Sequence, residues 1–385
     1  MDKKNKKRMI AIITGSRGEY GYIRPIIREI EQHEDLDYGV IATNMHVLDS
    51  FGSSITELER DNIKIFSRIN NTFDGYNHVS MAKSLAVFQL QLPEILEQMG
   101  ADMILLAGDR GEQLVGAIVG AHMYIPTAHI QAGELSGNID GSTRHAITKF
   151  AHLHFASNDD AAERVRKMGE EEYRVHMVGA PQLDDFVFGD ITSAEDIYKQ
   201  FDLDAEKPIM LFVFHPVTEE VSSMESHMDE VMQAVSSFDG QVVIISSNSD
   251  AGGNIVRRKI LEYRKSNMKM YKNVKREDYA GLMSVADVMV GNSSSGILEA
   301  PSFHLPVVNI GNRQLGRLQG KNVINTDYKQ QEIIDAINMA LSPVFVKQVQ
   351  QCINPYGDGK SAKRIVDVLK EVKLDEGLLI KKLTY

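Results

Sequence analysis

Short apolar runs alternate with segments of helical periodicity along this chain, and the alternation limits its fold more than any other feature. A strand that returns to the same sheet after a helix runs parallel to the strand before it. The pattern therefore predicts an α/β protein in which parallel sheets carry helices on both faces. The predicted strands cover residues 9–14, 38–43, 64–69, 102–107, 126–130, 153–156, 209–214, 242–246, 287–290 and 306–310. The predicted helices include residues 22–33, 47–60, 81–99, 113–123 and 140–152.

The length of the chain predicts more than one domain. At about 150 residues per domain, a chain of 385 residues suggests two or three. The acidic, weakly periodic stretch 184–207 is the expected boundary. We predict two Rossmann-like domains facing a cleft, made of residues 1–185 and residues 186–385. A last helix at 361–373 can pack back on the first domain, which the sequence leaves open.

Composition argues against several classes of protein. Cys352 is the only cysteine, which excludes an intrachain disulfide and a cysteine-based zinc site. The formal net charge of −11 argues against nucleic acid as a general partner. The longest apolar stretches are the size of a strand, too short to span a membrane. The basic N-terminus leads directly into a strand without a cleavage site, so we expect no signal peptide and a cytoplasmic location.

Two neighbouring predicted strands, 102–107 and 126–130, are each followed by a polar loop punctuated by glycine. The sequences there read G-D-R-G-E and H-I-Q-A-G-E-L-S-G-N-I-D-G-S-T-R-H. An open α/β sheet binds its ligand at the carboxyl ends of its strands. The placement therefore predicts acid/base chemistry on a charged substrate. The candidate side chains are Asp109, Glu112, Glu134, Asp140, Arg144 and His145.

A second candidate site follows a strand in the other half of the chain. The run G-N-S-S-S-G at residues 291–296 leads into a predicted helix at 297–303, and small residues with hydroxyls at a helix start suit a phosphate or ribose. Ser293 and Ser294 can donate hydrogen bonds, and Glu299 can accept from two ribose hydroxyls. The alternative is a serine-rich helix cap in which Glu299 interacts only with the helix dipole.

Further basic side chains lie at other strand ends. Arg17, His215 and Arg313 are candidates to contact a phosphate, and a turn residue without a ligand is the alternative for Arg17 and His215. The loop around Arg17 has neither the dinucleotide-binding nor the Walker A pattern.

No spacing of His, Asp and Glu predicts a metal site, and we expect His129 and His145 to be structural rather than metal ligands. The G-x-S-x-G motif of serine hydrolases is absent from the sequence.

Together these motifs resemble the hydrolysing UDP-N-acetylglucosamine 2-epimerases over residues 9–370. The most specific are G-E-L-S-G-N-I-D-G-S-T-R-H-A-I-T-K and G-N-S-S-S-G. The resemblance implies a glycosyltransferase-B fold, UDP held mainly by the second domain, and no metal or nicotinamide cofactor. It also implies conversion of UDP-N-acetylglucosamine and water to N-acetylmannosamine and UDP, which feeds sialic acid synthesis, in a homodimer or homotetramer.

The resemblance also implies roles for residues at matching positions. The catalytic candidates are Asp109, Glu134 and Asp140, which would lie near the sugar. The diphosphate would meet a histidine and two arginines, and the serines and Glu299 would bind phosphate and ribose. The full substrate-binding set is Arg17, Gln131, Arg144, His145, His215, Asn292, Ser293, Ser294, Ser295, Gly296, Glu299 and Arg313.

Gln131 departs from the family pattern, because many members carry a glutamate there that is assigned an acid/base role. A glutamine cannot transfer a proton at ordinary pH, so this step would pass to a carboxylate, or position 131 acts by hydrogen bonding.

Three alternative functions stay open. The same reaction on UDP-N,N′-diacetylbacillosamine would share every motif, a transferase of the same fold would not need the G-D-R-G-E loop, and a nucleotide-sugar sensor is favoured only by Gln131.

Overall fold

The computed structural model describes residues 7–48, 54–73, 78–135, 139–189, 191–217, 220–246, 253–272 and 274–385, and of residues 78, 139 and 140 only the backbone. The chain divides into two compact units. The first consists of Met1–Asp185 together with Tyr356–Tyr385, and the second of Phe186–Pro355. Each unit is built on one parallel β-sheet with helices on both faces.

The first unit contains a sheet of seven strands. In chain order these are β1 (Arg8–Thr14), β2 (Leu36–Thr43), β3 (Ile65–Ile69), β4 (Met103–Ala107), β5 (Thr127–Ile130), β6 (Leu153–Ala156) and β7 (Val175–Met177). They lie in the order β3-β2-β1-β4-β5-β6-β7, and every neighbouring pair is parallel. The central strands are apolar throughout because helices cover both of their faces, as in the fully buried β4.

Helices on the two faces of this sheet enclose two apolar cores. The helices up to the boundary are α1 (Arg17–Ile30), α2 (Ile55–Arg60), α3 (His78–Met99), α4 (Gly111–His122), α5 (Ile139–Phe150), α6 (Asp159–Lys167) and α7 (Gln182–Val187). Side chains of β1 alternate between the cores, since neighbours on a strand point to opposite faces. Ile10 and Ile12 pack with α1, whereas Ala11 and Ile13 pack with α3 and α4.

The second unit repeats this architecture with six strands. They are β8 (Ile209–Val213), β9 (Gln241–Ile245), β10 (Met268–Tyr271), β11 (Val288–Gly291), β12 (Val307–Ile310) and β13 (Val323–Thr326), in the parallel order β10-β9-β8-β11-β12-β13. The helices are α8 (Ala194–Gln200), α9 (Met224–Ser236), α10 (Gly253–Tyr263), α11 (Arg276–Val285), α12 (Ser295–Leu298), α13 (Gln330–Ala340) and α14 (Pro343–Val349). None of the helices in the described ranges is both long and apolar enough to cross a membrane.

Each sheet has one point at which its strand order reverses. In the first sheet β2 and β4 lie on opposite sides of β1, and in the second β9 and β11 lie on opposite sides of β8. The loops that follow the two central strands therefore diverge, and the opening between them is where such sheets bind ligands. The loops that carry Arg17, Asp109 and His215 begin beside these openings, whereas the loops of Gln131 and Arg313 follow the next strands, β5 and β12. The two parallel sheets with helices on both faces confirm the predicted fold class.

Two predicted helices differ from the structure. For the helix expected at 47–60, residues 49–53 lie outside the described residues, and α2 covers only Ile55–Arg60. The helix expected at 297–303 is interrupted, because α12 ends at Leu298 and a 3-10 turn follows at Ala300–Phe303. Pro301 explains the interruption, since proline has no N–H to donate and its ring collides with the carbonyl one turn earlier.

The C-terminal helices α15 (Ser361–Glu371) and α16 (Glu376–Leu379) belong to the first unit. Ile365 of α15 is buried in the same core as Ile10 and Ile12. The carboxylate of Asp184 accepts hydrogen bonds from the first two amides of α15, at 3.0 and 2.7 Å, which have no partner within the helix. The apolar face of α15 packs against α1, which is the arrangement that the sequence left open for the last helix.

Ile365→Ala should lower the stability of the first unit by about 2–5 kcal/mol, the usual cost of removing a buried isoleucine side chain. Equilibrium unfolding in urea, followed by circular dichroism, measures this change. Ile380→Ala is a matched control, because Ile380 belongs to the same C-terminal segment but is largely exposed. It should change stability by less than about 0.5 kcal/mol. An unchanged unfolding curve for Ile365→Ala would contradict the packing of α15 in the first unit.

Candidate active site

A buried glutamine joins the two strands at the reversal point of the first sheet. Gln113 Nε2 donates to the carbonyl of Ile13 in β1 at 3.2 Å, and its Oε1 accepts from the amide of Ala107 in β4 at 3.0 Å. Both ends of this fully buried amide are therefore paired. The bridge fixes the starting points of the loops that carry Arg17 and Asp109.

Arg144, on α5, connects two of the predicted site loops. Its guanidinium forms an ion pair with the carboxylate of Asp109 and donates to the backbone carbonyl of Gln131 at 2.8 Å. The arginine side chain is 4% exposed and that of Asp109 is 23% exposed, so the carboxylate keeps access to solvent while its partner is buried. The planar guanidinium suits this task because it can donate in two directions at once. The structure thus brings Asp109, Gln131 and Arg144 together.

Further site candidates of the first unit are Glu134, His145 and Asp140. Glu134 Oε1 accepts from Nδ2 of Asn158, the cap of α6, at 3.0 Å, which orients this carboxylate. His145 follows Arg144 on α5, and burial together with the charge of Arg144 lowers its pKa. Asp140 lies in the first turn of α5, but its side chain falls outside the described residues.

His129 has a structural place in this arrangement. Its Nε2 donates to the carbonyl of Gly108 at 2.6 Å, and burial lowers its pKa to about 3, so the ring is neutral. The histidine therefore holds the start of the loop that carries Asp109. Within the described part of the chain, no three His, Cys, Asp or Glu side chains are grouped so that they could hold a metal ion.

A buried carboxylate beside these loops is absent from the predicted set. Glu19 Oε2 accepts from the amide of Gly15 at 2.5 Å, and Ser16 Oγ accepts from the amide of Glu19 at 3.4 Å. Burial, together with the negative charge of Glu112, raises the pKa of Glu19 to about 7. A sequence signal exists for this residue, because a serine followed three positions later by a glutamate is the capping box of a helix start.

Arg17 is held by a carboxylate in this structure. It lies in the first turn of α1, and its Nε contacts Glu57 of α2 at 2.8 Å. More than half of the arginine side chain is exposed, and an ion pair in contact with water contributes little stability. An anionic ligand can therefore compete with Glu57 for this guanidinium.

Asn292 joins two loops at the edge of the second sheet, much as Gln113 joins two strands of the first. Its Oδ1 accepts from the amide of His215 at 2.7 Å and its Nδ2 donates to the carbonyl of His215 at 2.8 Å, which joins the loops after β8 and β11. The backbone carbonyl of Asn292 accepts from Arg313 at 3.1 Å and from Gln314 at 2.9 Å. Three predicted site residues, His215, Asn292 and Arg313, therefore lie together at this edge.

The serine-rich run begins where two backbones approach closely. Gly291 has a φ of +138°, and a Cβ atom at this position would lie 2.0 Å from the carbonyl oxygen of Val213. Ser293 Oγ then accepts from the amide of Ser295 at 3.3 Å, which starts α12. Ser294 and Ser295 stay partly exposed, whereas Gly296 is buried. Only glycine at position 291 allows the turn to leave β11 in this direction.

Glu299 is buried behind this turn, directly after α12. Burial raises its pKa to about 7, although a hydrogen bond with Ser295 and the charge of Arg276 act in the opposite direction. Tyr279 of α11 forms hydrogen bonds with Ser293 and Ser295. Arg276 and Tyr279 cannot be identified from the sequence, because the local pattern of α11 does not distinguish them from other helix residues.

An open cavity of about 870 Å³ lies elsewhere in the second unit, at the carboxyl ends of β12 and β13. It contains none of the predicted site residues. Its walls carry four carboxylates, on Glu220, Asp327, Glu332 and Asp335. Because like charges repel, this cavity is unsuited to a diphosphate, and the candidate site is the edge formed by Asn292 and its neighbours.

Comparison with known sequences covers nearly the whole chain. The sequence profile of the family described as UDP-N-acetylglucosamine 2-epimerase matches residues 28–370. The chain belongs to this family. A relative from Legionella pneumophila, UDP-N,N′-diacetylbacillosamine 2-epimerase (hydrolyzing), is 37% identical over 97% of this chain and 98% of its own length. The UDP-N-acetylglucosamine 2-epimerase of Neisseria meningitidis serogroup B is 34% identical over 86% of this chain and 87% of its own length.

Solved structures of epimerases share the architecture of this family member. The crystal structure of the UDP-GlcNAc 2-epimerase from Neisseria meningitidis bound to UDP-GlcNAc aligns with a TM-score of 0.79. The alignment covers 94% of this chain and 100% of the other at 18% identity, so it shows the fold alone. The resemblance carried by the sequence motifs is thus confirmed for the family, and the glycosyltransferase-B type is confirmed for the fold.

The buried carboxyl of Glu299 should make the stability of the second unit depend on pH. Its pKa is about 7 in the folded protein, against an ordinary value of 4.5, so the folded state holds an extra proton between these values. This contribution to stability is fully present below the ordinary pKa and is lost as the pH rises through the folded pKa. Glu299→Gln should therefore melt at a temperature that falls less than the wild-type value between about pH 5 and about pH 8.

Glu332→Gln removes an exposed carboxylate of α13 and is the control for this measurement. It should keep the pH dependence of the wild-type melting temperature. The same dependence in Glu299→Gln and in the wild type would contradict a buried carboxyl that titrates near neutral pH.

Proposed function

We propose that this chain is a hydrolysing 2-epimerase, which releases UDP and a 2-epimerised acetamido sugar from a UDP-sugar. The observation that carries the proposal is the assembly around Arg144, a residue of the most specific motif, which holds Asp109 and the carbonyl of Gln131. The Legionella relative, which is named as hydrolysing and matches almost the whole chain, supports the same reaction.

In this proposal the second unit binds UDP. His215 and Arg313 lie at the strand ends joined by Asn292, where His215 can donate to the diphosphate and Arg313 can neutralise it. Arg17, whose guanidinium is half-exposed, stays a proposed phosphate contact. The hydroxyls of the turn after β11 donate to phosphate oxygens, and Glu299 accepts from the ribose hydroxyls. The turn consists of Ser293, Ser294, Ser295 and Gly296.

The reaction requires positive groups around the leaving diphosphate together with a base near C2 of the sugar. The proton on C2 of a 2-acetamido sugar is not acidic, so it leaves only as C1 becomes cationic during the departure of UDP. Positive groups must therefore stabilise the diphosphate while a base accepts the C2 proton. Anti elimination gives the 2-acetamidoglycal. A proton is then returned to C2 from the opposite face, which inverts this centre, and water adds to C1.

Asp109 and Asp140 are the proposed acid/base groups, with Glu134 assisting or orienting. Asp109 has the strongest structural support, because its carboxylate reaches solvent and is oriented by the buried Arg144. Gln131 cannot transfer a proton, and we assign its amide to hydrogen bonding with the sugar. His145, whose pKa is lowered, is proposed as a neutral contact to the same sugar.

Two sugars are candidate substrates. The motifs resemble epimerases of UDP-N-acetylglucosamine, whose product N-acetylmannosamine feeds sialic acid synthesis, but they do not distinguish this sugar from UDP-N,N′-diacetylbacillosamine. The match with the Legionella relative, which covers both chains almost completely, favours UDP-N,N′-diacetylbacillosamine. We place the second sugar first on this ground. A homodimer or homotetramer and a cytoplasmic location stay predictions of the sequence.

Incubation of the purified protein with each UDP-sugar, followed by proton NMR, tests the reaction and the substrate. Free 2-epimerised sugar and UDP should appear, at a higher kcat/KM with UDP-N,N′-diacetylbacillosamine than with UDP-N-acetylglucosamine. A UDP-sugar epimer without release of UDP would instead indicate a non-hydrolysing epimerase. Binding of both sugars without turnover would contradict the proposal and indicate a sensor. Turnover that needs a sugar acceptor would indicate a transferase.

Asp109→Asn should lower kcat by about 10²–10⁴-fold, the usual effect of losing an acid/base group. Its affinity for UDP should stay within about twofold of wild type, because the proposed UDP contacts lie mainly in the second unit. Steady-state kinetics and calorimetric titration with UDP measure the two effects. Glu97→Gln, an exposed carboxylate of α3, is the control and should retain wild-type kinetics. Wild-type turnover in Asp109→Asn would remove Asp109 from the mechanism.

A further inference from the structure

The C-terminal segment 376–381 reaches α5, the helix that carries Arg144 and His145. We propose that Lys381 is a positioning residue for the reaction: by binding the C-terminal end of α5, it sets the place of Arg144 and through it that of Asp109. The inference rests on the proposed function, and it assigns a task in this chemistry to a residue more than 230 positions along the chain from the helix it holds.

Lys381 binds the end of α5 with a single ammonium group. Its Nζ donates to the backbone carbonyls of Thr148 at 2.8 Å, Lys149 at 3.1 Å and Ala151 at 2.7 Å. The last carbonyls of a helix have no partner within it, and a positive charge there also interacts favourably with the helix dipole. The ammonium therefore closes the open end of the helix whose other end lies at the predicted sugar loop.

A buried arginine holds the backbone that precedes Lys381. Arg174 is fully buried and donates to three carbonyls within residues 377–380 at distances between 2.7 and 3.2 Å. It also donates to the carbonyl of His152, just after α5, at 3.2 Å. The segment before Lys381 is thus fixed to the end of α5, and the lysine does not have the freedom of an ordinary surface side chain.

A buried carboxylate keeps the ammonium in place. Glu170 contacts Lys381 at 2.7 Å, and it also contacts His154 at 3.1 Å and Lys149 at 3.3 Å. Burial alone would raise the pKa of Glu170, but the contacts with His154 and Lys381 lower this pKa to about 2. The carboxylate therefore stays ionised at neutral pH. Loss of Lys381 would leave this buried charge with less compensation, which is costly.

The helix transmits the position of this cap to the site. Arg144 lies six residues before the end of α5, about 9 Å away at a rise of about 1.5 Å per residue. A tilt of about 6° around the capped end therefore moves Arg144 by about 1 Å. A displacement of about 1 Å can lower a rate by about a hundredfold. Lys381 can thus affect turnover strongly without touching the substrate.

Three variants separate positioning from general stability. Lys381→Met removes the charge and keeps the length of the side chain, and Lys381→Arg restores the charge. Deletion of residues 383–385 weakens the same segment differently, because it removes the hydrogen bond from Thr384 to the carbonyl of Gly169 and the packing of Tyr385 on Gly169. The readouts are kcat and KM for the UDP-sugar, and amide hydrogen exchange of peptides covering residues 139–152.

Lys381→Met should lower kcat by about ten- to a hundredfold, change KM by less than about threefold, and speed exchange in α5. Lys381→Arg should restore most of kcat, and the deletion should keep kcat near wild type. Wild-type kcat in Lys381→Met would overturn the inference, and so would an equal loss of kcat in the deletion. If the wild type turns over neither UDP-sugar, the proposed function fails. Exchange in α5 then decides the inference, and unchanged exchange in Lys381→Met overturns it.

Discussion

In each unit, two parallel strands part at the reversal point of the sheet, and their last backbone groups need partners that the sheet does not supply. In the first unit the buried amide of Gln113 pairs with both strand ends, and in the second the buried amide of Asn292 pairs with the amide and carbonyl of His215, in the loop after β8. An amide can donate and accept at once, and a buried backbone group without a partner costs about 1–3 kcal/mol. Because the predicted loops start at these bridges, the position of both candidate sites depends on two side chains.

Buried charges then determine how the first unit is arranged around its bridge. Arg144 is paired with Asp109, Lys381 is paired with Glu170, and Arg174 is surrounded by backbone carbonyls. A charge can leave water only where partners of this kind receive it. Each of these contacts joins segments that are distant in the chain, so together they decide where α5 and the C-terminal segment lie. The second unit instead buries Glu299 as a carboxyl that titrates near neutral pH.

The parts of the structure that could be predicted are those with a local signal. The central strands are buried on both faces and read as continuous apolar runs, as in β4. The strands β7, β10 and β13 lie at sheet edges, are half-exposed and mix polar with apolar residues, so no such run marks them. The site loops follow from polar residues placed after strands. Arg174 and Lys381 have no local signal for these tasks, since the C-terminal carbonyls that Arg174 holds and the α5 carbonyls that Lys381 holds lie more than 200 residues away from them.

The backbone of Gln131, and not its side chain, takes part in the arrangement around Arg144. This backbone is left-handed, with a φ of 60°, which costs a residue other than glycine about 1 kcal/mol or more. The contact that Arg144 makes with this residue is to the backbone carbonyl, not to the side chain. The arrangement of Arg144 and Asp109 therefore depends on the conformation at position 131 and leaves the side chain open to substitution. A glutamate there would add a negative charge to a loop bonded to a guanidinium that Asp109 already neutralises. Glutamine keeps the hydrogen-bonding groups without this charge, which agrees with the proposal that carboxylates such as Asp109 transfer the proton.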